Sequence, residues 1–227
     1  MTNSIKPRLT GIAVLCATVA ACASTPKPVA YSDLASASYM ARNTEGDTKH
    51  VPFRYYSNVD WRTYNKLIID PVVIYQGRDQ QFGAMSDADK TALADYMSQQ
   101  FSDTLRRRFA IVTSPSPDTL RLKLTLTGAT KTTPAVGTFT RLDIGGNIYN
   151  GVQSVVGGRG AFTGQAIYAV EIYDARTNRL LEAYVTERYP RPYNIKATFG
   201  ALTAAEVGIK KGADALLAQL SDSGKDR

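Results

Sequence analysis

One histidine and two cysteines in 227 residues leave little room for the commonest side-chain chemistry. A Ser-His-Asp or Cys-His arrangement would have to recruit His50, which lies in the polar stretch 42–51, and no G-x-S-x-G turn occurs. A solvated loop histidine is the plainer reading. A disulfide framework, a Cys/His zinc site and a haem are all disfavoured by the same scarcity. Asp70 is embedded in the apolar run 66–75 (KLIIDPVVIY). A carboxylate there acts either as a general acid or ligand, or as the acceptor that organises a bulge where Pro71 withholds a donor. The second role is the simpler one, and Asp60, beside Trp61, simply starts the entry to this run. Gly145-Gly146 and Gly157-Gly158-x-Gly160 match neither G-x-x-x-x-G-K-[ST] nor G-x-G-x-x-G, so no nucleotide site is expected. Arg106, Arg107 and Arg108 close a helical pattern, where cations facing solvent complement the helix dipole. The expectation is therefore of no catalytic residue, no cofactor and no metal.

The remaining reactive residue is Cys22. Residues 1–8 carry Lys6 and Arg8 and no acid, and residues 9–21 (LTGIAVLCATVAA) carry no charge. Thirteen helical residues reach roughly 20 Å, short of the ~30 Å hydrocarbon core, which fits a signal-peptide core better than a spanning helix. Val19-Ala20-Ala21-Cys22 resembles the bacterial lipobox. That resemblance implies cleavage after Ala21, a diacylglycerol thioether on Cys22 and N-acylation. By resemblance to lipoprotein sorting, Ala23 rather than an aspartate after the cysteine implies sorting to the outer membrane. Residues 22–30 then form a Pro/Ser/Thr tether not expected to pack, and the acylated chain is anchored durably. Loss of Cys16 with the leader leaves no free thiol. Loss of Lys6 and Arg8 leaves 25 basic against 20 acidic side chains, a net charge of +5.

The elements that must carry any site follow from periodicity. Residues 31–41 suggest a short helix capped by Ser32 and anchored by Leu34 and Tyr39. The run 66–75 reads as a buried strand with a bulge at Pro71. Ser86 with Asp89 opens a helix whose Leu93, Met97, Phe101 and Leu105 recur every four residues. Residues 110–113 read as a short strand. Leu120, Leu122, Leu124 and Leu126 alternate with Arg121, Lys123, Thr125 and Thr127, as a half-wet strand requires. Residues 165–173 and 180–189 read as a hairpin around the turn at 174–178. Thr203 with Glu206 suggests a capping box, and Ile209, Ala213, Leu216, Leu217 and Leu220 make the stripe of a last helix. The expected fold class is α/β of the α+β type: a mixed, mostly antiparallel five-stranded sheet with two main helices packed on one face. A single domain is expected over 31–220, followed by a polar tail at 221–227.

Residues 64–72 (YNKLIIDPV), after the aromatic entry Trp61-Arg62-Thr63, resemble a family of bacterial lipoproteins, domain of unknown function 3313. The likeness continues through the Ser86 helix, the strand start at 118–122 and the hairpin residues 171–177. Asn178 stands where a glycine commonly follows this turn, and Asn tolerates the left-handed conformation. The resemblance implies an envelope lipoprotein and supplies no activity.

The functional expectation is a non-enzymatic, lipid-anchored binding or scaffolding module at the periplasmic face of the outer membrane. Its partners would be the membrane, through lipid on Cys22, and an envelope protein, with no nucleic acid. The +5 charge and abundant tyrosine keep open a binder of an anionic polymer such as peptidoglycan or lipopolysaccharide, and a carboxylate-based hydrolase is the third class. Residues 132–164 hold eight glycines and many apolar side chains. They are expected either as a partner-facing loop or as a Gly-bearing helix laid on the sheet.

Overall fold

Alternating leucines put one face of a long strand under cover, and the rest of the sheet is assembled on that strand. The computed structural model describes residues 26–132, 164–190 and 200–222. The strands are β1 (Ala41–Arg42), β2 (Phe53–Tyr56), β3 (Lys66–Ile69), β4 (Val73–Ile74), β5 (Ala110–Ile111), β6 (Thr119–Thr130), β7 (Gln165–Asp174) and β8 (Leu180–Arg188). The described residues also form two α-helices, α1 (Asp87–Leu105) and α2 (Thr203–Ser221). The sheet order is β1-β2-β8-β7-β6-β3-β5, with β4 also pairing β6.

The class is as expected, a mixed sheet with two helices, but the described residues hold eight strands rather than five. Pro71 accounts for one difference. Ile69 pairs Leu122 and Val73 pairs Thr125, so four residues on one strand oppose three on the other. The extra residue splits the expected single strand into β3 and β4. The other additions, β1 and β2, are too short to show a period. Their strand state comes from antiparallel pairing with each other and with β8. The antiparallel bias is also weaker than expected, because β3, β4 and β5 all join in parallel.

Both helices lie on the leucine face. Leu93, Met97, Phe101 and Leu105 of α1 and Ile209, Ala213, Leu216 and Leu220 of α2 share one core with Leu120, Leu122, Leu124, Leu126, Tyr168 and Val170. Each fully buried leucine contributes about 1.5–3 kcal/mol relative to exposure. Ser86 caps α1 as its spacing predicted, its hydroxyl accepting from the Asp89 amide at 3.3 Å. The α2 start differs: Leu202 is the N-cap, Thr203 is already helical, and no side-chain cap bond forms. Gly200, at φ +95°, makes the turn into this helix that a polar cap would otherwise mark.

The opposite face is not wet throughout. Residues 31–40 form successive turns rather than the expected helix, and they strap across β7 and β8. Tyr31, at a left-handed φ of 47°, is the true anchor. With Leu34 it buries against Tyr75, Ile167, Ala169 and Val185, whereas Tyr39 is 58% exposed. The tether also begins to pack sooner than expected. The Pro26 carbonyl accepts from Gln165 Nε2 at 3.0 Å and the Lys27 carbonyl from Gln81 Nε2 at 2.6 Å.

Candidate functional site

Between β2, β8, the C-terminal half of α2 and the loop 43–51 lies a cleft of about 290 Å³. The alternation of β8 aims Glu182, Tyr184 and Arg188 into it, and β2 contributes Arg54, the register partner of Tyr184. Glu182 is 1% exposed and fully engaged. Arg54 Nη2 lies 2.6 Å from its Oε1, and Gln219 of α2 donates to its Oε2 at 2.5 Å. A buried carboxylate requires this kind of compensation, since desolvation alone costs several kcal/mol. Burial pushes the Tyr184 phenol well above its ordinary range. Tyr168 is pushed up to about 12 for the same reason.

At the other end of the cleft Asp47 is shared by Arg188 and His50. Its Oδ2 accepts from Arg188 Nη1 at 3.2 Å, and its Oδ1 lies 2.7 Å from His50 Nδ1. Partial burial would raise the Asp47 pKa, but the bonds from His50 and the charge of Arg188 bring it below the usual value. His50 is thus not a freely solvated histidine. Its ring lies 5.2 Å from that of Tyr189. Its carbonyl accepts from the Glu187 amide at 2.9 Å and the Thr186 hydroxyl at 2.8 Å, docking the loop on β8. A His-Asp pair is two parts of a hydrolytic triad, yet the described residues lining the cleft include no Ser, Thr or Cys to act as nucleophile. The arrangement can position a ligand through Tyr184, Asn43 and the cleft rim. Its charges, however, already face one another.

The other predicted residues are scattered. Asp70 sits at the β3–β4 break with Oδ1 3.6 Å from Arg121 Nε, an ion pair between side chains each about one third exposed. Asp60 caps a single turn of 3-10 helix at Trp61–Thr63 and pairs with Arg62. Arg108, expected in solvent, instead donates to the carbonyls of Tyr64 and Trp61 at 3.1 and 2.9 Å and covers the Phe109 ring. It ties the end of α1 to the entry of β3. Cys22, the glycine runs at 145–160 and residues 133–163 lie outside the described residues.

Two buried acids escaped the sequence reading: Glu182, and Glu171 on the strap side of β7, which is 4% exposed and accepts from the Ser36 amide at 2.8 Å. Both sit inside apolar strand runs (AVEIY and LLEAY), the same signal that singled out Asp70. Among the described residues, no group of three or more His, Cys, Asp or Glu is placed to hold a metal ion. No described helix is long and apolar enough to cross a membrane.

A family model described as "Protein of unknown function (DUF3313)" matches residues 30–216. The chain belongs to the DUF3313 family. No curated protein matches this DUF3313 chain. Among solved structures it is similar to the PelC dodecamer from Paraburkholderia phytofirmans, at 8% identity and a TM-score of 0.36, covering 67% of this chain and 88% of that one. It is also similar to the hypothetical protein CT253 from Chlamydia trachomatis, at 9% identity and a TM-score of 0.35, covering 68% and 94%.

Proposed function

We propose that this DUF3313 protein is a non-enzymatic module anchored by lipid on Cys22 at the periplasmic face of the outer membrane, where it holds a protein partner of the cell envelope. The observation that carries the reading is the position of Cys22. It follows Val19-Ala20-Ala21 and a charged, then apolar leader, and Pro26, the first described residue, is pinned four positions later. A thioether at Cys22 therefore leaves every described contact of the domain intact. The cleft supports a holding role over polymer binding. Its two arginines are committed to Glu182 and Asp47, so a polyanion would have to displace carboxylates to reach them.

The anchor is tested by mass spectrometry of the mature N-terminus and by Cys22→Ala. The wild type is expected to begin at a lipid-modified Cys22, and the variant to remain an unlipidated precursor. An unmodified N-terminus, or cleavage anywhere but after Ala21, overturns the anchor. The scaffolding role is tested by crosslinking the anchored protein in living cells. Repeated recovery of one envelope protein supports it. Binding to purified peptidoglycan that weakens as salt rises, with no protein recovered, overturns it in favour of a polymer.

A further inference from the structure

We infer that the end of the sheet bearing Gln81 and Gln165 is held against the lipid surface, with the β7–β8 turn at 174–178 directed away from it. This rests on the lipidation of Cys22 proposed above. Four Cα steps separate Cys22 from Pro26, and at no more than ~3.6 Å each they span under ~15 Å. Pro26 is not the start of a loose linker. Its carbonyl is bound by Gln165, the first residue of β7, which is 0% exposed. Lys27 is bound through its carbonyl by Gln81. Four residues on, the 1%-exposed Tyr31 closes the clamp, its hydroxyl donating to Gln81 Oε1 at 2.9 Å and its ring edge-on to Tyr75.

Gln165 pairs with Thr130 at the far end of β6, so the clamp marks one pole of the sheet. The nine steps along β7 then carry the chain roughly 30 Å to Asp174. A lipid on Cys22 thus reaches one pole and not the other. The partner is a phospholipid surface, and the chemistry of the near pole suits it. Lys27 and Arg78 are exposed there, on the two segments that clamp each other. Cations within a Debye length of anionic headgroups are attracted to them.

The test uses the full-length lipidated protein in vesicles of phosphatidylethanolamine and phosphatidylglycerol containing a headgroup quencher. Once Cys16 is removed and Cys22 modified the chain has no other thiol, so Arg78→Cys and Arg176→Cys each take a single fluorophore. Arg176 is exposed in the distal turn. Quenching at position 78 is expected to exceed that at 176 several-fold. Insertion of about twenty Gly/Ser residues after Ala23, a coil of roughly 25 Å, is expected to erase the contrast. Equal or reversed quenching overturns the orientation, as does a contrast that survives the insertion. If the N-terminal mass of the same preparation shows lipid on Cys22, the anchor itself stands despite that failure. A mass without lipid overturns the anchor and the orientation together.

Discussion

A methyl group cannot be added at Gly212 without displacing something. An ideal Cβ there would lie 1.5 Å from the Tyr168 hydroxyl oxygen and 2.9 Å from the adjoining ring carbon. Tyr168 is 1% exposed and packed edge-on to Phe101, so it has nowhere to swing. Gly212→Ala is therefore expected to cost about 1–3 kcal/mol by overpacking, and Tyr168→Phe in the same chain to recover part of it, measured by urea denaturation. Glu182 argues the same way from charge. Arg54→Met removes the guanidinium that lies 2.6 Å from its buried carboxylate, an expected loss of about 3–5 kcal/mol. Replacing Glu182 by Gln as well is expected to restore much of that loss. In the first half of β6 the two faces differ in exposure. Leu122→Asp places a charge on a 1%-exposed core position and is expected to abolish cooperative melting. Lys123→Gln, whose ammonium lies over the Tyr173 ring, is expected to shift the melt by only a few degrees.

At the scale of elements, the β7–β8 turn is organised by one carboxylate. Asp174 Oδ1 accepts from the Arg176 and Thr177 amides and the Thr177 hydroxyl, while Oδ2 accepts from the Tyr64 hydroxyl at 3.0 Å. Burial would raise its pKa, but these bonds prevail and hold it below the ordinary carboxylate value. A depressed folded pKa gives stability that is present above the unfolded value and lost as pH falls through the folded one. Asp174→Asn is expected to destabilise the protein at pH 7 and to flatten its stability loss below about pH 4, read from denaturation midpoints at several pH values. Asn178, left-handed at φ 57° as its place in the turn suggested, is expected to tolerate Gly but lose about 1–2 kcal/mol to Val. This turn, helix α1 and strand β6 were legible because their signals are local: a cap three residues from its acid, a four-residue apolar recurrence, a two-residue alternation. The strap at 31–40 was not, because its turns follow from docking on β7 and β8 rather than from any period of its own. Strand β2 was hidden for the same reason. The cleft was the least legible part, since Asp47, Arg54, Glu182 and Gln219 come from four separate segments and no spacing relates them.

The whole molecule is knitted by contacts distant in sequence. Strand β2 pairs Phe53 with Val185, and the Ser36 amide meets Glu171 across 135 residues. Such pairings cannot form until most of the chain is present, and the closure entropy they demand slows folding. The strap bears this most, because its site on β7 and β8 exists only after the hairpin has formed. It is expected to be the last part to settle and absent from the rate-limiting step. Leu34, 7% exposed beneath it, gives the check. Leu34→Ala is expected to accelerate unfolding several-fold while leaving the refolding rate nearly unchanged, as stopped-flow chevrons would read. A chain that emerges N-terminus first would then carry residues 31–40 as an open segment until its last strand arrives. That interval is when a protease would find the strap open, before Tyr31 locks it down.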